Sequence, residues 1–152
     1  MTAETAQKAG LPSREEYTKT EAEYLASLSI RKRDKALLTQ SLFDDVWDVL
    51  HDPKNARLRS PQFRFWVRKM FKLASVPCSS SEEEDVSSVV LHEGLPVALQ
   101  SQIYDILGYC HLRCHHGGRD RTVAQVRELY SWIPKELVAR YVKACPTCAF
   151  KK

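Results

Sequence analysis

Between residues 14 and 28, Tyr17, Tyr24, Leu25 and Leu28 return at helical intervals, and Ser13 followed by Glu16 has capping-box spacing. A helix over about 14–28 is expected. The stretch RKRDKALLTQSLFDDVWDVLHDP puts Leu37, Leu38, Leu42, Val46, Val49 and Leu50 on one side, which predicts a second helix ending before Pro53. Ser60 as N-cap and Pro61 at the first helical position open a third, SPQFRFWVRKMFKLA, with Phe63, Trp66, Val67, Met70 and Phe71 as its apolar stripe. Aromatics interleaved with Arg64, Arg68, Lys69 and Lys72 would also suit a nucleic-acid surface. The i, i+3, i+4, i+7 spacing favours core.

The pattern then shortens. VVLHEGLPV is β-branched around a Glu-Gly turn, so a small hairpin is expected over 89–97, pairing with KLASV at Lys72–Val76. His92 stands alone there and is not expected to be a ligand. Helical periodicity resumes in VALQSQIYDILGYCHLRC through Leu99, Ile103, Ile106 and Leu107, and the Gly117–Gly118 pair is expected to end that helix because glycine tolerates positive φ. Thr122 begins another, with Val123, Val126, Leu129 and Tyr130 on one face. Pro134 opens the last, built on Leu137, Val138, Tyr141 and Val142. The Ser-Trp-Ile link between these two makes a compact helix–turn–helix pair. The fold class expected is mainly α, a helical bundle with a C-terminal helical module and a small β-hairpin.

The 152 residues suit one domain, or one domain with an appendage. SVPCSSSEEEDVSS is of low complexity and reads as a loop or linker, dividing the chain into an N-terminal helical region (1–77), an acidic Ser-rich linker (78–88) and a C-terminal region (89–152). There is no internal repeat. No apolar run is long enough for a membrane span, and the N-terminus lacks a basic region leading into an apolar one, so a secreted protein is not expected. Five cysteines cannot all pair, and a reducing compartment disfavours disulfides anyway. The net charge of +4 hides alternating blocks: −2 over residues 1–30, +6 over 31–72, −6 over 73–108 and +6 over 109–152. Such patterning suits a polyanion on particular surfaces, although helical proteins also carry solvated basic faces.

The chemistry-bearing residues gather at two places, CHLRCHHGGRDRT (110–122) and CPTC (145–148). Cys145 and Cys148, two residues apart, have the spacing of half a zinc site, and the histidines supply the other half. The metal would clip both ends of a helical hairpin too small to hold itself together. Which histidines serve is not fixed by spacing. On a continuous helix His111 and His115 share a face, whereas His111 and His116 diverge by about 140°. A redox role for Cys-x-x-Cys is not supported, since no βαβ pattern surrounds it. Cys110 and Cys114 read as core or spare thiols, and Cys78 as a free thiol at the linker's edge.

His111, then His116-Gly117-Gly118-Arg119-Asp120-Arg121-Thr122, then Tyr130-Ser131-Trp132-Ile133-Pro134 and Cys145-Pro146-Thr147-Cys148, resemble the His-His-Cys-Cys zinc-binding domain of retroelement integrases, gypsy-type and Ginger-type above all. The resemblance covers about residues 99–148. It implies a small helical bundle stapled by one structural zinc on His111, His116, Cys145 and Cys148, with His115 as the alternative second histidine. It also implies a module that helps bind element-end DNA and assemble multimers. The departure is as informative: these 152 residues hold no acidic-triad core, and residues 1–100 exceed the short extension expected before such a module. Asp44, Asp45, Asp48 and Glu82–Asp85 are helix-face and linker acids, not a two-metal site.

The function expected is therefore a non-catalytic zinc-binding module of integrase origin. It would bind nucleic acid, double-stranded DNA above all, through Arg113, Arg119, Arg121, Arg127, Lys135, Arg140 and Lys143. The alternative is a protein–protein adaptor or homo-oligomerisation module. Neither a small-molecule substrate nor a membrane is expected as partner. RKRDK at 31–35 points to the nucleus, and otherwise the cytoplasm is expected.

Overall fold

A computed structural model describes residues 1–77 and 86–151; Cys78 and residues 78–85 of the acidic stretch, Glu82–Asp85 among them, lie outside the described residues. In chain order the elements are α1 (Ala3–Ala9), α2 (Arg14–Ala26), α3 (Ile30–Ala36), α4 (Gln40–His51), α5 (Pro61–Met70), β1 (Lys72–Pro77), β2 (Val86–His92), β3 (Leu95–Pro96), α6 (Gln100–Arg113), α7 (Arg119–Leu129), α8 (Lys135–Ala144) and α9 (Pro146–Phe150). The described chain is mainly α, with a three-stranded antiparallel sheet in the order β1-β2-β3. No helix among the described residues is long and apolar enough to cross a membrane.

Local chemistry sets most boundaries. The Ser13 hydroxyl accepts the Glu16 N–H at 3.1 Å and the Ser60 hydroxyl accepts that of Phe63 at 3.1 Å, starting α2 and α5. Glu93 and Gly94 both take positive φ, 53° and 81°, which is the two-residue turn whose twist matches antiparallel strands. It sets His92 opposite Leu95, while β1 pairs with β2 in the register Lys72↔Leu91.

The single helix expected from Arg31 to Asp52 is two. Leu37 is extended (φ −120°, ψ 146°), and the Thr39 hydroxyl accepts the Leu42 N–H at 3.1 Å to start α4. The break has a packing reason. Successive side chains of an extended segment point to opposite sides, so Leu37 enters one core and its neighbour Leu38 another. The first core joins Tyr17 and Tyr24 of α2 to Ile103, Leu107, Val126, Leu137 and Tyr141 of α6, α7 and α8. The Tyr17 ring lies 5.4 Å from Tyr104 and 6.4 Å from Tyr141. The second joins Val46 and Val49 of α4 to Phe63, Val67, Phe71 and Val90. Phe63–Phe71 and Ile103–Leu107 thus serve separate cores rather than one.

Trp132 links the two. Its φ of 71° is one that side chains other than glycine rarely adopt, and it places the indole 4.9 Å from Phe71, 4.9 Å from His92 and 5.9 Å from Trp66. The indole N–H donates to the Lys35 carbonyl at 3.2 Å. Backbone bonds from Ser131 to Pro96 and from Ala98 to Ser131, each 2.9 Å, fix the segment beneath it.

Thr39→Ala should cost about 1 kcal/mol through the lost cap, and Leu38→Ala about 2–5 kcal/mol through a core cavity. Urea unfolding of each variant measures both, and equal costs would contradict a helix break at Leu37–Leu38.

Candidate metal centre

α6 carries His111 in its last turn with the side chain fully buried, 0% exposed. The helix stops at Arg113. His115 N–H then donates to the Leu112 carbonyl and His116 N–H to the His111 carbonyl, each at 2.9 Å. This 5→2 and 6→1 pair is a Schellman closure. His115 and His116 themselves carry the left-handed conformation, both at φ 55°. The glycines do not, for Gly118 has φ −69° and serves as N-cap of α7. Gly117 is required by crowding, since a Cβ there would come within 2.8 Å of the Arg121 Cβ. α7 accordingly starts three residues before Thr122, which faces inward at 0% exposure.

The reversal turns His116 back onto His111, ring centroids 4.8 Å apart and nearly perpendicular. Cys145 closes α8 and caps α9, and Cys148 follows one turn later. His111 Nε2 lies 3.3 Å from Cys148 Sγ, and His116 Nδ1 lies 3.4 Å from Cys145 Sγ. One donor atom from each of the four residues falls within 4.8 Å of every other. A tetrahedral zinc with ordinary Zn–N and Zn–S bonds requires N···S edges of about 3.5 Å, so the donor set fits the ion. His115 is exposed and stands outside the group.

Hydrogen bonds outside the four donors select the lone pairs. The Thr122 hydroxyl donates to the Gly117 carbonyl at 3.2 Å and accepts His111 Nδ1–H at 3.0 Å, which leaves Nε2 free for the metal. A carbonyl can only accept, so the 3.0 Å contact of His116 Nε2 with the Ala9 carbonyl puts the proton on Nε2 and the lone pair on Nδ1. Burial, together with His116 and Lys151, pushes His111 down to about 4, so it stays neutral at physiological pH. Burial and the neighbouring Cys145 push the Cys148 thiol up to about 11. Cys110 is fully buried and burial raises it to about 11, as suits an inert core thiol. Cys114 is half-buried, 3.6 Å from the Thr122 hydroxyl.

The basic residues expected to bind nucleic acid lie on α6, α7 and α8. Arg119, Arg121 and Lys143 line a groove of about 760 Å³ with Cys148 and Ala149. Arg127 lines a different hollow with Lys35 and Trp132. Arg140 pairs with Glu136 at 3.3 Å. Arg113 is folded onto Tyr109, and Lys135 is exposed at the start of α8.

Residues 99–152, the last third of the chain, match the family of the integrase zinc binding domain. No curated protein and no solved structure matches the chain. This region is an integrase zinc-binding domain, with His111, His116, Cys145 and Cys148 positioned to bind one zinc ion. The matched family is the zinc-binding domain of integrases, not their catalytic core.

Elemental analysis should find one zinc in wild type and in His115→Gly, and none in His116→Ala. His115→Gly should also gain up to about 1 kcal/mol, because relief of the left-handed strain exceeds the glycine's extra chain entropy. Loss of zinc in His115→Gly would exclude the ligand set.

Zinc affinity should fall on acidification. The Cys148 thiol, near 11, must release its proton to bind, so this donor alone weakens binding about tenfold per pH unit between pH 8 and 6. His111, near 4, adds no proton competition there. Competition with a chromogenic chelator across that range gives the slope, and a flat profile would show that the thiol is not a ligand.

Proposed function

We propose that the protein is a non-catalytic module of integrase origin that binds double-stranded DNA beside its zinc. The observation that carries this reading is the groove at the start of α7, where Arg119, Arg121 and Lys143 converge next to Cys148. Gly118 caps α7 without a side chain, so the first amides of an 11-residue helix open toward the same place. Asp120 tempers the charge, its exposed carboxylate hydrogen-bonded to Arg119 at 3.1 Å. Such contacts grip phosphates and carry little sequence information. Four protein donors around one zinc leave no corner for a water, so the centre is structural and supplies no hydrolysis. DNA as ligand would suit the nucleus, and the exposure of Arg31–Lys35 supports that stretch as an import signal.

A second reading, an adaptor that assembles through α6, is favoured by Tyr109 and Leu112, 54% and 39% exposed, beside an apolar hollow containing Ile106 and Leu129. Light scattering distinguishes the two: a stable multimer without DNA affinity supports the adaptor.

The DNA reading predicts that affinity for a duplex falls as salt rises. Replacing Arg119, Arg121 and Lys143 with alanine should make the log–log salt slope shallower by about 2.7, at about 0.9 per phosphate contact, while one zinc is retained. Fluorescence anisotropy between 50 and 200 mM salt is the measurement. Salt-independent binding, or a triple variant with wild-type affinity, would sink the proposal.

A further inference from the structure

The zinc-binding domain begins at residue 99, yet its donors touch the other end of the chain. α1 is seven residues long and ends at Gly10, which takes φ 68°. A helix of that length has no stability of its own in water, and its last carbonyls lack partners inside the helix. The Gly10 and Leu11 amides satisfy those of Ala6 and Gln7, and the metal centre supplies a donor for Ala9. His116 Nε2–H donates to the Ala9 carbonyl at 3.0 Å. The Gly10 carbonyl accepts the Thr147 hydroxyl at 2.8 Å.

The fit around these contacts is close. A Cβ on Gly10 would stand 2.1 Å from Thr147 Oγ1, at a φ that L side chains avoid. Ala6 and Leu11 are buried, 1% and 3% exposed. Leu11 Cδ1 lies 3.4 Å from where a Cβ would stand on Gly108, in α6. The Pro12 carbonyl accepts the buried Tyr104 hydroxyl at 2.8 Å.

From these contacts we infer that residues 2–12 are an outer layer of the zinc centre, so that metal loading and docking of α1 are thermodynamically coupled. The physical link is His116. When Nδ1 gives its lone pair to a cation, the ring loses electron density and Nε2–H becomes a stronger donor to Ala9. In the other direction, the Ala9 carbonyl holds the imidazole in the tautomer and orientation the metal needs. Reciprocity follows: whatever docking adds to zinc affinity, zinc adds to docking. Ala9 and Gly10 act through backbone carbonyls and are positioning residues for the centre, not ligands.

Two full-length variants test the coupling without touching a donor. Gly10→Val displaces the strap, and Thr147→Val removes the hydroxyl at nearly constant volume. Each should retain one zinc but lose affinity 10- to 100-fold in chelator competition, the range for outer-layer partners of metal ligands. A merely structural strap would lower the melting temperature and leave zinc affinity unchanged. The complementary readout is amide hydrogen exchange of wild type with and without chelator. Amides of residues 5–11 should lose protection on zinc removal by a larger factor than those of α4 and α5. Wild-type zinc affinity in both variants, or equal protection of residues 5–11 with and without metal, overturns the proposal. Should Gly10→Val fail to fold, the affinity of Thr147→Val decides alone.

Discussion

The centre depends on where α6 stops. Had the helix run on, His116 would have pointed away from His111 and no tetrahedron could have formed. Two left-handed residues end it, and the reversal sets the second imidazole against the first. Left-handed backbone at two histidines is unfavourable by about 1–2 kcal/mol each. Two Schellman hydrogen bonds and the packing of the site hold the turn in place. Thr122 reaches His111 because α7 starts directly after this turn, so the same reversal also fixes the tautomer of the first histidine.

The zinc-binding domain does not stand apart from the rest of the chain. Its α6, α7 and α8 share a core with Tyr17 and Tyr24 of α2. Its Trp132 leaves that core altogether and packs among Trp66, Phe71 and His92. Within the Tyr-Ser-Trp-Ile-Pro segment Trp132 is thereby held by Trp66 and Phe71, while Tyr130 and Ile133 stay on the first core. α6 and α8 pack directly on α2, while the cluster of α4, α5 and the strands meets the domain at Trp132 and across the Leu37–Leu38 and Val97–Ala98 junctions.

Much of this was legible from residue order. Helices α2, α5 and α8 announced themselves by apolar period and by capping serines or prolines, and the Glu93–Gly94 turn by its dipeptide. The two halves of the metal site were legible because thiols and imidazoles at those spacings have few other uses. What sequence could not supply had specific causes. The period of Leu37, Leu38 and Leu42 runs unbroken through a helix break, because the break serves two cores whose existence the pattern does not encode. Gly117–Gly118 suggested left-handed backbone, which the structure assigns to the histidines before them, leaving Gly117 a role in crowding. α1 offered no apolar stripe, and the groups that tie it down are carbonyls, which every residue has. The seven basic residues were equivalent in sequence, and only their positions on three helices separate the three that converge.

The contact between Gly10 and Thr147 joins residues 137 positions apart. During vectorial synthesis the ribosome exposes α1 early, long before anything exists for it to dock on. The sheet and the helices around Val46 and Val67 can condense meanwhile, since the buried members of their cluster all lie within residues 38–97, Trp132 joining later. The clasp waits for Cys145–Cys148 to clear the exit tunnel. Metal capture by all four donors therefore follows the synthesis of residues 1–144, with the cluster around Val46 and Val67 already free to form.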